Sequence, residues 1–498
     1  MKQCVKRILV TAVLLMAALP AHAQGLAERV REHTLANGMK LLMVERHTSP
    51  TVAAWIRYRV GSVDERSDER GIAHLLEHML FKGTKTLGTT DYAAEKPLLD
   101  RIEVVAQQLL LEKTKREKGD PALVARLEKE LADLEKEAGK YVVKEEFAQI
   151  YNRHGGSNYN AYTSKDGTTY LISLPANKLE LWAAIESDRM QNPVLREFYT
   201  ERAVVMEERR RSYEAEPEGK LWETFSASAF NAHPMGQPVI GWMSDIANLT
   251  RTKAEDFLRR YYAPNNAIIA IVGDIDPEKT IALVERYFGH IPPGTPVPPV
   301  AVEEPSQQGE KRIEVIGDAG AELMIGFHKP TLPHPDDLVF DVIDMLLADG
   351  RTSRLYKKLV VEKQLVSGIG AFSAPGHRYP NLFIISATPQ APHTTAEVEA
   401  AIYEELEKLK TEPVSQRELE QILNRLEYEE ARQMTSIGGL ARNLSEFEAI
   451  AGSWRYLIEH RQQVAGVKPE DIQRVAKKYL TRENRIVGFI TPQEVAKK

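Results

Sequence analysis

The sequence predicts an α+β chain made of two similar units, and three observations carry that expectation. The chain has 498 residues, 43% of them hydrophobic, too many for one core at roughly 100–200 residues per domain. Residues 291–312, IPPGTPVPPVAVEEPSQQGEKR, hold six prolines and no helical or strand period, so they read as a linker between halves of similar size. Alternating strands and amphipathic helices then follow one another in the same rhythm on both sides of it. The expected division is a leader at 1–23, a first unit at 24–290, the linker at 291–312 and a second unit at 313–498.

Composition narrows the class. There is ample apolar material to bury, which excludes disorder, and neither a glycine period nor a cysteine framework exists, with one Cys in the chain. A formal charge of −6 argues against binding nucleic acid, which needs a basic face.

Lys2, Lys6 and Arg7 precede an apolar run over residues 8–19, and Ala21-His22-Ala23 sets small residues at the −3 and −1 positions of a cut after Ala23. These are the three regions of a secretory signal peptide. The run falls short of the roughly 20 residues that cross a bilayer. Cleavage removes three basic residues and takes the charge from −6 to −9. It also removes Cys4, so the mature chain is expected to be periplasmic or secreted, with no disulfide and no thiolate-bound metal. No later segment reads as a membrane span.

In the first unit, Asn37-Gly38 between two short alternating runs signals a hairpin. Val52, Ala54, Ile56, Tyr58 and Val60 alternate with more polar positions, the pattern of a half-buried strand. Residues 266–275 read as a further strand, and Pro277 opens a helix at its first turn. The second unit repeats the rhythm with a strand at 323–327, a helix at 336–347 and a stop at Gly350. One segment departs from it. Residues 97–140 read as a helical hairpin broken at Gly119-Asp120-Pro121, with Asp120 as N-cap. Leu123, Leu127, Leu131 and Leu134 recur every three or four residues amid Glu and Lys, so they are expected to pack on the partner helix.

The chemistry lies in residues 71–81, GIAHLLEHMLF. On a helix His74, Glu77 and His78 fall within an arc of about 100°, while Leu75, Leu76, Met79 and Leu80 cover the other faces. A helix apolar nearly all round buries two imidazoles and a carboxylate at a cost unless something satisfies them. Zinc would: two His at i and i+4 chelate from one helix, and Glu77 between them can reach a metal-held water. With 13 His in the chain, such a match also arises by chance on the order of once in a hundred. Catalytic zinc further wants a third ligand and an open position. In the run from Phe198 to Arg209, Glu201 is flanked by Val204 and Val205, and Glu208 returns to within about 20° of it. Glu208 is thus the better ligand and Glu201 the better outer carboxylate, orienting a ligand by hydrogen bonding. Glu207 points about 100° away and reads as part of a solvated charged face.

HLLEHMLFKGT at residues 74–84 and ERAVVMEERR at 201–210 together resemble the inverted-zincin metallopeptidases of the pitrilysin family, most closely the subfamily of mitochondrial processing peptidase and its bacterial relatives. GSVDE, GGSNYNAYTSKDGTTY, YYAPNNAIIAIVGDID and SRLYKKL extend the likeness over nearly the whole mature chain. The resemblance implies two halves that are each a mostly antiparallel sheet covered by helices, and one Zn²⁺ per chain on His74, His78 and Glu208. It implies Glu77 as general base, Glu201 as the outer carboxylate, and Asn160 and Ala161 on an edge strand that pairs with an extended peptide or unfolded polypeptide. The alternation over residues 163–174 permits such a strand. Against the family pattern, the hairpin at 97–140 is an insertion. The second half carries Val360 and Ser367 where relatives with a self-sufficient site carry an Arg and a Tyr. It also lacks a second H-x-x-E-H. The expectation is therefore a zinc endopeptidase working as a homodimer, or as a heterodimer with a related subunit that supplies the Arg/Tyr pair. The alternative is a non-catalytic scaffold or assembly subunit of the same family.

Overall fold

The computed structural model describes residues 21–493, so the leader expected over 1–23 lies almost wholly outside the described residues. A helix, Ala21–Arg29, precedes the first of two sheets. That sheet contains β1 (Val30–Thr34), β2 (Lys40–Glu45), β3 (Thr51–Tyr58), β4 (Ser157–Thr163), β5 (Thr168–Pro175) and β6 (Ala267–Gly273). Its strand order is β1-β2-β6-β3-β5-β4, antiparallel except for β2 with β6. The hairpin between β1 and β2 turns at Gly38, whose φ of 85° suits a residue without a Cβ. The alternation over 163–174 spans two strands, because the turn at 164–167 separates β4 from β5, and β4 forms the edge.

The second sheet contains β7 (Lys311–Gly317), β8 (Glu322–Lys329), β9 (Val366–Ala374), β10 (Asn381–Pro389) and β11 (Arg485–Pro492). Its order is β7-β11-β8-β10-β9, again with one parallel pair, β7 with β11. Each sheet carries its own helices on one face. The helix Pro277–Phe288 and the helix Pro335–Leu347 stand where the Pro277 and 336–347 signals place them.

The halves exchange helices over the other faces. The helix Ile437–Ile450, from the second half of the chain, lies on β3 and β6 and buries Leu440, Ala441 and Leu444 against Ala53, Trp55, Ala270 and Val272. The helix Pro217–Ala229, from the first half, lies on β7 and β11 with Leu221 and Phe225 against Val315, Ile486 and Ile490. Glycine permits this approach. A Cβ on Gly326 would sit 2.7 Å from the Phe225 ring, and one on Gly488 would sit 3.0 Å from it. Burying a ring such as Phe225 contributes about 1.5–3 kcal/mol. This exchange corrects the half-buried reading of β3. Ala53, Trp55 and Arg57 on its supposedly polar face are all buried, because a helix distant in sequence covers them.

The hairpin consists of helices Tyr92–Thr114 and Pro121–Ala138. Asp120 caps the second by accepting the N–H groups of Ala122 and Leu123 at 2.9 and 3.3 Å. Val105, Leu109 and Leu127 form its small core, with Leu123, Leu131 and Leu134 packed beside them. The first helix starts at Tyr92 rather than at 97, since Asp91 caps it by accepting the Ala94 N–H at 3.1 Å. Pro97 near its amino end forgoes a single hydrogen bond.

Candidate metal centre

Two helices build the site. The helix Ile72–Met79 is buried along Ile72, Ala73, Leu75, Leu76 and Met79, which leaves His74, Glu77 and His78 together on the remaining arc. It ends at Met79, so Lys82 stands in the turn beyond it. Its start is fixed by Gly71 at φ 92°, where a Cβ would lie 2.3 Å from the Ile240 carbonyl oxygen. The buried Glu65 carboxylate satisfies the exposed amides of that first turn, accepting the N–H groups of Gly71 and Ala73 at 2.9 Å each. The second helix, Phe198–Arg209, packs through Phe198, Tyr199 and Val205 and turns Glu201 and Glu208 toward the first. Of the two valines that flank Glu201 on the wheel, Val205 is buried and Val204 is exposed.

Among the described residues, His74, His78 and Glu208 are the one group of three such side chains that could hold a metal ion. One ligand atom from each lies within 4.8 Å of the others. His74 Nε2 stands 3.8 Å from one Glu208 oxygen, and His78 Nε2 stands 3.6 Å from the other. These gaps are too long for hydrogen bonds. They approach the edge of a tetrahedron whose centre lies about 2.0–2.1 Å from each ligand, which is about 3.3–3.4 Å.

The outer contacts suit a cation. His78 Nδ1 and Glu201 Oε1 are 2.9 Å apart, so the ring donates from Nδ1 and keeps the Nε2 lone pair for the centre. Lys82 Nζ reaches the other Glu201 oxygen at 2.7 Å. Burial works against charge on Glu201, but the hydrogen bonds from His78 and Lys82 outweigh it and hold the carboxyl down at about 2. Burial likewise opposes charge on His78, yet Glu201 raises that imidazole above its usual value. His74 is driven down to about 3 by burial and by the neighbouring His78. Its Nδ1 is buried without a hydrogen-bond partner, and its Nε2 faces Glu208. A divalent ion therefore fits the donor set of two imidazoles and one carboxylate, and on binding it would displace the proton that Glu201 favours on His78.

Glu77 lies between the two His and accepts a hydrogen bond from Thr163 Oγ1 at 2.6 Å. Burial pushes its carboxyl above the ordinary value, and the Thr163 hydroxyl holds it back. Glu207 pairs with Arg210 at the surface, away from the site. Beside Glu77 and His78 opens a cavity of about 650 Å³ lined by Phe81, Phe147, Tyr159 and Val204 among others. Asn160, exposed, and Ala161, buried, lie on β4, whose outer edge has no partner strand among the described residues. Thr163 and Lys82 carry contacts that sequence reasoning missed. No spacing marks Thr163, whereas Lys82 follows His78 by four residues.

The second half has a counterpart without the ligands. The helix Pro335–Leu347 follows β8 as the histidine helix follows β3, and a positive-φ glycine, Gly350 or Gly83, closes each turn. Counted back from those glycines, Asp341, Asp344 and Met345 stand at the places of His74, Glu77 and His78. Asp341 instead pairs with His460 at 2.9 Å. Val360 packs on the second core, and Ser367 is exposed at the start of β9.

Residues 40–96 and 135–242 match the family described as insulinase (peptidase family M16), and residues 248–426 match the peptidase M16 inactive domain. The gap within the first match, 97–134, is most of the helical hairpin. The zinc protease PqqE of Helicobacter pylori is 28% identical over 499 residues, covering 98% of this chain and 99% of that one. A crystal structure of a protease from Helicobacter pylori has a TM-score of 0.78 at 26% identity, covering 93% of this chain and 99% of that chain. The periplasmic protease PqqL of Escherichia coli shares the fold, with a TM-score of 0.69 at 18% identity, but this chain spans only 48% of its length. No helix among the described residues is long and apolar enough to cross a membrane. With both family regions matched in order along one polypeptide, and the motif-bearing helices in the first of them, the chain belongs to the M16 peptidase family, of which it carries the N- and C-terminal domains.

Proposed function

We propose that this chain is a zinc-dependent endopeptidase that cuts peptides or unfolded segments in the periplasm or outside the cell. The observation that carries the reading is the convergence of His74 Nε2, His78 Nε2 and Glu208 on one point with Glu77 beside it. His74, His78 and Glu208 hold the ion, one per chain, and Glu201 orients His78. Zinc so held supplies a Lewis acid that acidifies water and polarises a peptide carbonyl. Glu77, with a carboxyl raised by burial, takes the proton of the attacking water and returns it to the departing amine. Thr163 fixes which Glu77 oxygen is free to do so. Asn160 and Ala161 on β4 offer the backbone of an unpaired edge to an extended substrate.

The substitution of Val360 and Ser367 for an Arg/Tyr pair supports a working dimer in which the second half of another chain, identical or related, completes the substrate clamp. PqqL gives the same indication by length: this chain matches 93% of the chain in a structure of its first half, so a second chain can stand for the remainder. The secretory pattern of residues 1–23, together with the printed description of PqqL as periplasmic, supports the location. Purified mature protein should cleave an unstructured peptide, stop when a chelator removes zinc and resume when zinc returns. Chelator-insensitive cleavage, or no cleavage alone or with a related subunit, would sink the reading and favour the scaffold alternative.

A further inference from the structure

A buried carboxylate ties the second half, which has no metal-ligand cluster among its described residues, to the proposed general base. Asp166 lies in the four-residue turn between β4 and β5, with 7% of its surface exposed. Its Oδ2 accepts the N–H of His377 at 2.6 Å and of Arg378 at 3.3 Å, both in the loop joining β9 to β10. That loop closes tightly on it. A Cβ on Gly376 would lie 2.7 Å from the same oxygen, and the Gly376 carbonyl is fixed by Asn381 Nδ2 at 2.5 Å.

The turn itself is stiff. Ser164 N–H donates to the Gly167 carbonyl at 2.8 Å, and Gly167 N–H donates back to Ser164 Oγ at 3.1 Å. On its other side Ser62 and Val63, which lead toward the histidine helix, donate their N–H groups to the carbonyls of Ser164 and Lys165 at 3.1 and 3.2 Å. Thr163 enters this turn, and its hydroxyl holds Glu77 at 2.6 Å. The second Asp166 oxygen is buried with no hydrogen-bond partner. A carboxylate kept so incompletely paired costs stability, and the contacts that offset the cost are those of its other oxygen with the β9–β10 loop.

The structure assigns Asp166 as a positioning residue: by clamping the β9–β10 loop of the second half onto the β4–β5 turn, it sets Thr163 and, through it, the catalytic oxygen of Glu77. This rests on the endopeptidase reading above. It gives the second half a task at the site even though that half contributes no ligand.

The test compares Asp166→Ala, Asp166→Asn and Thr163→Val with the double variant Asp166→Ala/Thr163→Val in the full chain. Zinc content and the kcat and KM for an unstructured peptide are read for each. Asp166→Ala should keep one zinc per chain and a KM within about twofold while kcat falls about tenfold, the scale of one lost orienting contact. Asp166→Asn, which keeps a carbonyl oxygen for the two amides, should recover most of that loss. In the Thr163→Val background Asp166→Ala should change kcat by less than about twofold, because the two act in series. Unchanged kcat in Asp166→Ala, or an undiminished drop in the Thr163→Val background, overturns the assignment. Should Asp166→Ala fail to fold, Gly376→Ala displaces the loop from the other side and must lower kcat in the same way. Amide exchange of the metal-free protein separates this inference from the peptidase reading. Asp166→Ala must speed exchange in residues 161–165 as well as 376–378, whether or not the chain cleaves peptides, and unchanged exchange in 161–165 refutes the clamp.

Discussion

Replacing Glu201 by Gln changes one charge and almost no volume, and its consequence for the metal depends on pH in a direction the structure fixes. In the native chain Glu201 Oε1 accepts from His78 Nδ1 at 2.9 Å, and Lys82 Nζ approaches the other oxygen at 2.7 Å. Gln still offers one carbonyl oxygen to His78, so the ring keeps its orientation in part, but it no longer increases the basicity of Nε2. Loss of such an outer partner weakens metal binding by about 10–100-fold, or roughly 1.4–2.7 kcal/mol. That deficit should appear in full on the alkaline side of the raised His78 value, where the ring is neutral in both proteins. On acidification the native protein meets proton competition first, because Glu201 raises the His78 imidazole above its usual value. Below that raised value its zinc affinity falls about tenfold per pH unit for the one proton displaced. In the variant the imidazole keeps Glu208 and Glu77 but loses the anionic neighbour that raises it most, so the same decline starts at lower pH and the two curves draw together. Chelator competition on metal-free protein over a series from alkaline to mildly acid pH measures this. A deficit that is absent at the alkaline end, or one that stays constant through the acid end, refutes the assignment of Glu201 as the carboxylate that orients His78.

Glu77→Gln should retain one zinc and lose peptide cleavage by at least about a hundredfold, checked by elemental analysis beside a turnover assay. Thr163→Val removes the hydroxyl that holds the Glu77 carboxyl down; Glu77 is then protonated at higher pH, so the acid limb of kcat/KM should move toward neutrality, and an unmoved limb would falsify the contact. Glu95→Ala strands Arg196, which is fully buried and donates to Glu95 at 2.9 Å and to the carbonyls of Lys82 and Thr84 at 2.7 Å each. Breaking such a pair costs about 3–5 kcal/mol and should lower the thermal midpoint markedly, whereas an unchanged midpoint would show that the hairpin is not anchored through it. Glu208→Ala should abolish stoichiometric zinc while leaving the far-ultraviolet circular dichroism unchanged, since Glu208 is only partly buried and makes no structural hydrogen bond among those described.

Much of the site was legible in the sequence because an α-helix converts spacing into direction. His74, Glu77 and His78 share an arc by residue count alone, as do Glu201 and Glu208, and apolar neighbours on the remaining faces reveal that the arc is enclosed. The capped hairpin, the Asn-Gly turn and Pro277 were readable for the same reason: each is decided within a few residues of backbone. Thr163 was not readable, since its hydroxyl reaches Glu77 across 86 positions and nothing local distinguishes it from any other threonine in an alternating strand. The burial of Ala53 and Trp55 was likewise hidden, because the helix that covers them lies nearly 400 residues away.

The sequence by itself determined which side chains each helix presents as a set, and hence the chemistry of two imidazoles, a carboxylate between them and a pair of acids elsewhere. Only the tertiary structure decided that the two sets face one another with Glu208 Oε2 3.6 Å from His78 Nε2, that each half lends a helix to the other's sheet, and that Asp166 fastens the second half to the turn beside Glu77. The division follows from range. Local periodicity and capping are set by backbone geometry over one or two turns, whereas the meeting of distant segments depends on which apolar faces exclude water together, and that is settled by the packing of the whole chain.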